Sequence, residues 1–491
     1  MANPAPACDV IVVGCGIAGL AAAVAAQQGG ARVVVLERAP IDERGGNTRY
    51  TGAWLRMKSV DEVSDDFTEH FAVNAGGYLD PSLVHETSKD RDNWPPNLRA
   101  MSFADPEVVA TFAEEAPPTL RWLQGMGVRF EKLEVPFLTS VQPRMAPHGG
   151  GFALVEALAT EFEKKGGVIQ YNTAAQSLIQ NDEGAVVGVR ATGPRNKPLA
   201  FRANAVVLGC GGFEGNAEMM TRYIGPRSLY LRSMSKGCHY NKGEGVAMGL
   251  AIGAAPCGDF GSWHASPMDP RSDRAGPSIY IYPQGILVNQ HGQRFTDEGP
   301  GPTDETYEGV TREINAQPGG IAYAILDTTL AKVQHPESVV RSEVRPYQAG
   351  TLTGLAEQLK IPADALEATV AAYNQACATG VYNEATMDGL STRGISPRKS
   401  NWARPVNQPP YIAYPIISSI VLTFGGLKTT PEARVVNQQG DVIPGLYAAG
   451  ETMGLYYRSY TGATSVLKGA VFGRLAGIDA ARNTLSTEER K

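Results

Sequence analysis

Apolar residues near the amino terminus form two short runs on either side of an alanine-rich segment. Residues 9–13 (DVIVV) and 31–36 (ARVVVL) are dominated by β-branched residues, as in strands that are buried on both faces of a parallel sheet. Residues 20–28 between them (LAAAVAAQQ) are rich in alanine, the strongest helix former. The pattern predicts strand, helix and strand in direct succession, which is one βαβ unit of a parallel sheet.

The turn between the first strand and the helix carries a GxGxxG pattern. Gly14 permits a tight turn, Gly16 lets backbone N–H groups approach a pyrophosphate, and Gly19 lets the helix pack closely on the strand. Glu37 follows the second strand 18 residues after Gly19, where its carboxylate can accept hydrogen bonds from ribose hydroxyls. This context favours a dinucleotide site over a glycine-rich turn without a ligand. The residues that we expect at the dinucleotide are Gly14, Gly16, Gly19 and Glu37, together with their neighbours Ile17, Ala18 and Arg38.

A second glycine-rich segment separates FAD from NAD as the predicted cofactor. Residues 44–52 (RGGNTRYTG) come directly after the acidic residue, and their natural use is to pass beside the pyrophosphate and isoalloxazine ring of FAD. An ordinary surface loop is the alternative interpretation. The cofactor contacts expected from this segment are Gly45, Gly46, Asn47, Thr48 and Gly52.

Two strands far along the chain are expected to complete the same site. Residues 203–208 (ANAVVL) lead into a glycine cluster, and residues 442–449 (VIPGLYAA) end at a Gly-Glu pair, followed by a helix predicted over 466–483. Glu451 is our candidate for binding the ribitol hydroxyls of FAD, and a surface carboxylate at a strand end is the alternative. The contacts expected from these segments are Gly211, Gly212, Gly450, Glu451, Ser465 and Val466.

Composition and charge argue against several other kinds of function. A formal net charge of −6 over 491 residues leaves no basic field to attract nucleic acid. The six cysteines and seven histidines show no CxxC, HxxH or HxxxH spacing, so we expect free thiols and no metal site. The apolar run over 10–26 has no basic residue before it, and no window offers about 18 uninterrupted apolar residues. We therefore expect a cytoplasmic protein without a nucleic-acid partner or a membrane span.

Six segments resemble, in order, the fumarate reductase/succinate dehydrogenase flavoprotein superfamily. They span nearly the whole chain and read DVIVVGCGIAGLAAA, RGGNTRYTGA, LGCGGFEGN, KGEGVAMGLAIGA, GILVNQHGQRFTDE and GLYAAGE. The resemblance implies an α/β fold, with a discontinuous Rossmann-type FAD-binding domain at 1–265 and 411–491 and an inserted α+β capping domain at 266–410. Within the cap we expect a hairpin over 285–295 that turns at His291 and Gly292, and helices over 322–331 and 363–379.

The chain departs from fumarate reductases at several positions that matter for chemistry. The histidine of covalently flavinylated members is replaced in the region of Asn47 and Thr48, which implies noncovalent FAD. The histidine pair, the proton-donor arginine and the late carboxylate-binding arginine are also missing, and counting from Arg294 to the donor position gives Pro302. GGNTR, TFGGLK and SYTGATSVLKGAVFGRLAG look most like FAD-dependent tricarballylate dehydrogenases, and the last is also similar to 3-ketosteroid dehydrogenases.

The resemblance leaves a tyrosine-rich set of catalytic candidates. Tyr460 precedes a glycine turn whose N–H groups could bind an oxyanion, and Tyr307 falls near the lost arginine as a proton carrier. A tyrosine with its reference pKa near 10 would need a cationic neighbour, for which Arg294 or Arg458 could serve. His264 matches a substrate-facing histidine of the superfamily. For each, a packed structural side chain is the alternative. Candidate carboxylate ligands are Arg49, Arg56 and Arg458.

The superfamily's chemistry is hydride transfer between flavin N5 and a carbon next to a carbonyl or carboxylate. The resemblance therefore implies a dehydrogenase of CH–CH groups that acts on a small molecule, with tricarballylate-like polycarboxylates as the first substrate class. A cyclic-ketone or 3-ketosteroid desaturase is the alternative enzyme. A flavin-binding electron-transfer subunit is the alternative from another class of protein.

Overall fold

The computed structural model describes residues 8–76, 83–133, 135, 138–139, 144–329 and 339–488. The strands in chain order are β1 (Val10–Val13), β2 (Val33–Leu36), β3 (Met57–Ser59), β4 (Glu62–Val63), β5 (Phe130–Leu133), β6 (Arg144–Pro147), β7 (Val168–Gln170), β8 (Ala174–Gln180), β9 (Val186–Gly193), β10 (Lys197–Arg202), β11 (Ala205–Leu208), β12 (Arg232–Ser233), β13 (Pro256–Cys257), β14 (Trp263–Met268), β15 (Ile286–Val288), β16 (Ile321–Leu326), β17 (Tyr347–Ala349), β18 (Tyr411–Thr423), β19 (Gly426–Leu427), β20 (Arg434–Val436) and β21 (Val442–Ala448). The α-helices are α1 (Ile17–Gln28), α2 (Phe67–Ala75), α3 (Val84–Thr87), α4 (Pro96–Ala100), α5 (Pro106–Gly125), α6 (Gly150–Lys164), α7 (Ala217–Ile224), α8 (Glu244–Ala251), α9 (Thr303–Ala316), α10 (Leu352–Leu359), α11 (Ala363–Ala376) and α12 (Ser465–Glu488).

A six-stranded sheet joins both ends of the chain, in the order β20-β21-β11-β1-β2-β7. All neighbouring strands in it run parallel except β20, which is antiparallel to β21. The predicted amino-terminal βαβ unit and the two predicted strands from far along the chain are therefore confirmed as neighbours. The expected α/β class with a Rossmann-type parallel sheet is confirmed as well.

Both faces of this sheet are buried, as the unbroken apolar character of its strands predicts. Val10 and Val12 pack into a cluster with helices α1, α5, α6 and α12. Ile11 and Val13, which point to the opposite face because side chains alternate along a strand, pack against β8, β9 and α8. The sheet is thus the middle layer of three.

Helices α1 and α12 approach each other closely because α12 presents glycines to α1. A Cβ atom at Gly473 would lie 2.3 Å from the carbonyl oxygen of Ala18, and one at Gly477 would lie 2.3 Å from that of Ala22. Only residues without a side chain fit these two positions. The contact brings the amino-terminal ends of both helices to the same edge of the sheet.

A second, mostly antiparallel sheet is built around the long strand β18. This strand pairs with β14, β16 and β17 in antiparallel fashion and with β12 in parallel, and β15 extends the sheet beyond β16. On one face Val310 and Ile314 of α9 pack with Ile416 of β18, and on the other α10 and α11 cover the strands. Strand β14 crosses the predicted boundary between 265 and 266, and β18 begins at the residue after the predicted boundary at 410. The division into 1–265, 266–410 and 411–491 stays a prediction.

One predicted helix is wrong, and one predicted hairpin is shorter than expected. Residues 321–326 form strand β16 instead of the start of a helix over 322–331, because this short apolar run lies in the middle of the second sheet, where both faces are buried. The last two residues of that predicted helix lie outside the described residues. The turn at His291 and Gly292 is present, but its second arm pairs with β15 only through a bridge between Val288 and Arg294. The ladder partner of β15 is β16.

Three observations bear on location, thiols and metals. No helix in the described ranges is both long and apolar enough to cross a membrane. All six cysteines lie in the described part of the chain and are free thiols, four of them buried. Burial raises the pKa of Cys210 to about 11, so this cavity-lining thiol is protonated at neutral pH. Among the residues described, no three His, Cys, Asp or Glu side chains lie close enough together to hold a metal ion.

Candidate active site

A cavity of about 830 Å³ opens at the carboxyl ends of β1, β11 and β21. Ligands of open α/β sheets bind in the crevice outside these strand ends. The lining begins at the glycine turn after β1 and extends to strands β14 and β18 of the second sheet and to helix α9, which packs on that sheet. The cavity therefore joins the two sheets.

The three glycines of the GxGxxG turn have different tasks. Gly14 has a φ of +101°, and a Cβ atom there would lie 2.5 Å from the carbonyl oxygen of Gly209. A Cβ at Gly19 would lie 1.9 Å from the carbonyl oxygen of Gly14, so both glycines allow the chain to pack on itself. At Gly16 φ is −78° and the nearest atom to an added Cβ is 3.5 Å away, although the residue lines the cavity. Gly16 is therefore the glycine whose missing side chain leaves room for a ligand.

Glu37 lies at the end of β2, buried in the cavity wall. Its two carboxylate oxygens accept hydrogen bonds from Cys15 N at 2.8 Å and Ala39 N at 2.7 Å. Burial raises the pKa of Glu37, and these hydrogen bonds together with the charge of Arg38 oppose that shift. Since each carboxylate oxygen has two lone pairs, acceptor capacity remains for ribose hydroxyls.

The segment over 44–52 is fixed beside the start of α1. Thr48 Oγ1 accepts a hydrogen bond from Ile17 N at 3.2 Å. Asn47 Nδ2 donates to Glu214 Oε1 at 2.6 Å and to the carbonyl oxygen of Val421 at 3.0 Å. The segment is therefore anchored to α1 and to β18 of the second sheet, and it forms one wall of the cavity rather than a loop on the surface.

The residues after β21 form the opposite wall. Glu451 accepts hydrogen bonds from Thr423 N at 2.6 Å and Thr423 Oγ1 at 3.0 Å, and burial raises the pKa of its carboxyl group. Lys468 of α12, which the sequence analysis missed, donates to the carbonyl oxygen of Met453 at 2.9 Å. Burial lowers the pKa of Lys468 to about 7, against the opposing charge of Glu451. A single lysine within the apolar α12 is the only sequence signal for it.

Nearly all residues predicted to contact the cofactor line the cavity. The two exceptions are Gly19 and Gly212. A Cβ at Gly212 would lie 2.1 Å from Thr423 Oγ1 and 2.2 Å from Glu451 Oε1, so this glycine, like Gly19, serves close packing. We therefore correct these two assignments from ligand contact to packing.

The residues present fit FAD. The cavity volume of about 830 Å³ falls within the range of roughly 300–1,000 Å³ typical of small-molecule sites. The open space at Gly16, at the amino-terminal end of α1, suits a pyrophosphate. Glu37 would hold the adenosine ribose, Glu451 the ribitol, and the amino-terminal end of α12 the isoalloxazine ring.

The far end of the cavity brings together three predicted catalytic residues from different elements. His264 belongs to β14, Tyr307 to α9, and Tyr460 precedes α12. His264 Nε2 lies 3.2 Å from the hydroxyl oxygen of Tyr307, and the rings of His264 and Tyr460 meet edge to face at 4.2 Å. Burial lowers the pKa of His264 to about 3 and raises the pKa of Tyr307 well above its usual value. At neutral pH both groups are therefore uncharged.

The hydroxyl of Tyr460 is engaged in the turn that starts α12. It accepts hydrogen bonds from Thr464 N at 3.0 Å and Ser465 N at 2.9 Å, and it donates to Ser465 Oγ at 3.0 Å. These are among the N–H groups that the sequence analysis assigned to a substrate oxyanion. Tyr460 can polarise a substrate carbonyl only after giving up its bond to Ser465, so this role stays a prediction.

Glu308, which the sequence analysis missed, lies directly behind His264. Its carboxylate accepts hydrogen bonds from Tyr460 N at 2.8 Å and Ala265 N at 3.2 Å. Its Oε1 lies 3.7 Å from His264 Nδ1, and burial raises the pKa of Glu308 to about 7. An acidic residue on the buried face of the amphipathic helix α9 is the sequence signal that could have identified it.

Two predicted arginines do not reach the tyrosines. Arg294 forms an ion pair with Glu298 at 2.6 Å, donates to the carbonyl oxygen of Pro397 at 2.7 Å, and lies outside the cavity lining. Arg458 is exposed and also lies outside the lining. Neither is placed to act as the cationic neighbour of Tyr307 or Tyr460, because the sequence spacing that suggested them gave no information on side-chain direction.

The other predicted carboxylate ligands are also absent from the cavity lining. Arg49 pairs with Glu156 at 3.3 Å, and Arg56 is buried against Asp66. Arg144 at the start of β6 lines the cavity instead, although no motif marks it. Arg274 and Arg341 line it as well.

Arg144 is a buried cation close to the catalytic candidates. Its Nη1 lies 3.4 Å from Ser64 Oγ and its Nη2 lies 3.4 Å from Asp304 Oδ2, both long contacts. Asp304 precedes Tyr307 by about one turn of α9. Burial and the charge of Arg56 lower the pKa of Arg144 to about 10, so its guanidinium stays charged at neutral pH.

The Rossmann-type sheet, the glycine turn after β1 and the cavity-lining carboxylates of Glu37 and Glu451 are the features of a flavoprotein. The family model described as an FAD binding domain matches residues 9–467, so the chain belongs to that family. Its similarity to fumarate reductases and ketosteroid dehydrogenases places it in the fumarate reductase/succinate dehydrogenase flavoprotein superfamily, whose cofactor is FAD. The chain is therefore an FAD-dependent oxidoreductase.

Three relatives illustrate the range of this superfamily. The NADH:acrylate oxidoreductase of Vibrio harveyi is 28% identical over 96% of this chain, which spans only 50% of that relative. The open conformation of a flavocytochrome c3 fumarate reductase is 26% identical, with a TM-score of 0.74 over 99% of this chain and 80% of that one. The 3-ketosteroid-Δ4-(5α)-dehydrogenase of Rhodococcus jostii RHA1, solved with 4-androstene-3,17-dione, is 25% identical, with a TM-score of 0.68 over 96% of both chains.

Proposed function

We propose that this protein is a dehydrogenase of CH–CH groups that forms, or in the reverse direction removes, a C=C bond next to a carbonyl or carboxylate. The observation that carries the proposal is the pair of Tyr307 and His264, hydrogen-bonded at 3.2 Å inside the cavity that the FAD residues line. When bound, FAD supplies the hydride chemistry. The protein must supply a proton carrier and a group that holds the substrate's carbonyl or carboxylate.

Tyr307 is the proton carrier in this proposal. Its hydroxyl lines the cavity, and the neutral imidazole of His264 holds it in one orientation. An imidazolium form of His264 cannot serve as the acid that protonates substrate near neutral pH, because burial keeps the pKa of His264 at about 3. The burial of both groups also limits the access of water to them.

Arg144 supports a carboxylate-bearing substrate, with tricarballylate-like polycarboxylates as the first class. A guanidinium has five N–H donors, and among the described residues those of Arg144 make only two long hydrogen bonds. Arginine can grip a carboxylate through two parallel hydrogen bonds. A carboxylate held there would lie about one helical turn from Tyr307.

A cyclic ketone is the second candidate class, favoured by a different observation. Tyr280, Tyr307, Tyr456 and Tyr460 all line the cavity, so its walls near His264 are aromatic and suited to a ring. The structural relative solved with 4-androstene-3,17-dione carries the name of a ketosteroid dehydrogenase. A cytoplasmic location and a small-molecule substrate remain part of the proposal.

Anaerobic flavin reduction tests the proposed function. The oxidised holoprotein is mixed with tricarballylate, succinate, cyclohexanone, 4-oxocyclohexanecarboxylate or 4-androstene-3,17-dione, and the visible flavin band is followed. We expect at least one carboxylate or ketone to bleach it, or the matching unsaturated compound to reoxidise dithionite-reduced protein. A flavin that responds to no member of either set, while dithionite reduces it fully, would refute the proposal.

Arg144→Met is expected to weaken carboxylate binding while leaving uncharged ligands unaffected. Loss of charge-assisted hydrogen bonds worth about 1.5–3 kcal/mol corresponds to roughly a tenfold to hundredfold rise in Kd. Benzoate and benzamide serve as unreactive probes, and perturbation of the flavin spectrum reports their binding. Arg434→Met is the matched control, because Arg434 also pairs with one aspartate, Asp479, but lies outside the cavity. Equal affinity of the parent for benzoate and benzamide would rule out this carboxylate site.

A further inference from the structure

We propose that His264 and Glu308 form a proton relay behind Tyr307, in which Tyr307 exchanges its proton with His264 Nε2 while His264 Nδ1 exchanges its proton with Glu308. The inference rests on the proposed role of Tyr307 as proton carrier. It assigns to Glu308 a task beyond its structural hydrogen bonds. Glu308 acts through the other two residues and is a positioning residue rather than a group that touches substrate.

The geometry places the three groups in line. Tyr307 Oη lies 3.2 Å from His264 Nε2, and His264 Nδ1 lies 3.7 Å from Glu308 Oε1. His264 Nδ1 is buried and has no hydrogen-bond partner among the described residues, which is costly for a polar atom in a protein interior. A closer approach of less than 1 Å would turn the 3.7 Å contact into a hydrogen bond, and Glu308 Oε1 is the acceptor that Nδ1 faces.

This arrangement also selects the tautomer of His264. A neutral imidazole carries its hydrogen on one nitrogen and accepts at the other. A hydrogen on Nδ1 would point toward the carboxylate of Glu308, leaving Nε2 to accept from the Tyr307 hydroxyl. A hydrogen on Nε2 would instead leave the Nδ1 lone pair facing the Glu308 oxygen. The relay therefore requires the Nδ1–H tautomer.

The proton count balances in the dehydrogenation direction. As Tyr307 Oη takes a proton from the substrate carbon, its own proton passes to His264 Nε2, and the Nδ1 proton of His264 passes to Glu308. The electron pair of the broken C–H bond forms the C=C bond, while the hydride lost from the neighbouring carbon requires the oxidising chemistry that bound FAD would supply. One proton thus ends on Glu308, and neither Tyr307 nor His264 carries a net charge at the end of the transfer.

The surroundings of Glu308 suit a carboxyl group that gains and loses a proton near neutral pH. Burial raises the pKa of Glu308 to about 7, while the charge of Arg312 and the N–H groups of Tyr460 and Ala265 oppose the shift. Arg312 Nη2 lies 3.8 Å from Glu308 Oε2 and is partly exposed, so it is the nearest charged group on the solvent side. Among the described residues, Tyr307 and His264 also face Glu308. Strand β18, which packs against α9, carries no charged residue.

The tautomer of His264 tests the relay without any substrate. Nitrogen NMR of isotope-labelled histidine in the oxidised holoprotein should show a protonated Nδ1 and an unprotonated Nε2 for His264. His264→Gln identifies the signal by its loss. Ala265 N and Tyr460 N donate to different oxygens of Glu308, so the single amide oxygen of Glu308→Gln can keep only one of these two hydrogen bonds. In the folded variant we expect the Nδ1 resonance to shift. An Nε2–H tautomer in the parent would overturn the proposal.

The pH dependence of flavin reduction is the second test, with any substrate found to bleach the flavin. Glu308 must be ionised to accept a proton, so the parent's rate should rise as pH increases through about 7. Glu308→Gln should lose this inflection and, above it, react about tenfold to hundredfold more slowly. This is less than the roughly hundredfold to ten-thousandfold contributed by a directly acting acid or base, because Glu308 acts only through His264 and Tyr307. Glu305→Gln, an exposed acid of the same helix, is the matched control and should keep the parent profile.

The outcomes separate the relay from the proposed function. A slow Tyr307→Phe variant together with a parent-like pH profile in Glu308→Gln would overturn the relay and leave the function standing. Parent-like flavin reduction in Tyr307→Phe would remove the proton carrier itself. If Glu308→Gln does not fold, His264→Gln interrupts the same chain and should lose the same inflection.

Discussion

Gly16→Val is expected to yield a folded protein that purifies without FAD. The backbone at Gly16 has φ −78° and ψ −176°, which any L-residue adopts, and an added Cβ meets no protein atom closer than 3.5 Å. The valine methyl groups would instead extend into the cavity at the amino-terminal end of α1, where the pyrophosphate of FAD is expected. The ratio of flavin to protein absorbance, and FAD released into the supernatant by acid precipitation, measure the loss. In the parent the same precipitation should release all FAD, because no covalent bond is expected.

Gly19→Ala is the contrasting variant, because its added methyl group meets the protein backbone instead of the cavity. A Cβ atom there would lie 1.9 Å from the carbonyl oxygen of Gly14, so α1 would have to move away from β1. We expect this variant to lose stability or to remain insoluble, whereas Gly16→Val should melt at the temperature of the FAD-depleted parent. The comparison must be with depleted parent, since bound FAD stabilises the native state by mass action. Full FAD occupancy in purified Gly16→Val would show that the pyrophosphate lies elsewhere.

The part of the cavity at the first sheet was predictable from sequence, because its backbone geometry requires particular residue types at fixed spacings. A βαβ unit, a tight glycine turn and an acid at a strand end impose fixed residue types at fixed spacings. Glu37 and Glu451 lie in the cavity wall, as those spacings predict. The errors on Gly19 and Gly212 have the same origin, because a glycine motif does not distinguish room for a ligand from room for a neighbouring chain segment.

The part of the cavity around His264 was predictable only in part, since its residues come together through tertiary structure. Tyr307, His264 and Tyr460 were identified through resemblance, whereas Glu308 and Arg144 lie in no motif. The same limit explains Arg294 and Arg458, whose positions in sequence gave no indication that Arg294 turns to Glu298 or that Arg458 is exposed. The predicted helix over 322–331 failed for a related reason: a short apolar run rich in alanine suits a buried strand or a buried helix equally well.

Tyr307→Phe is expected to slow flavin reduction by about a hundredfold to ten-thousandfold, the range contributed by a positioned acid or base. The change removes a single oxygen atom, whose recorded partner among the described residues is His264 Nε2 at 3.2 Å. The ring of Tyr307 stays packed against Tyr280, so the shape of the cavity is retained. Because the hydroxyl is needed only when a proton moves, FAD content and ligand affinity should remain close to the parent's. Anaerobic stopped-flow measurement of the flavin band, at saturating concentrations of a substrate that bleaches the parent, gives the rate.

Tyr282→Phe is the matched control for this variant, and it distinguishes a catalytic role of the Tyr307 hydroxyl from a structural one. Its hydroxyl is also buried in the second sheet's core, but it has no hydrogen-bond partner among the described residues and lies outside the cavity lining. Removing an unsatisfied buried hydroxyl should leave stability unchanged or slightly higher, with the parent's rate of flavin reduction. A structural role for Tyr307 would instead show as a lower melting temperature with a nearly normal rate, because a packing defect does not act selectively on proton transfer. Slow reduction in Tyr307→Phe at parental FAD content, with Tyr282→Phe unchanged, would therefore identify Tyr307 as the residue that carries the proton.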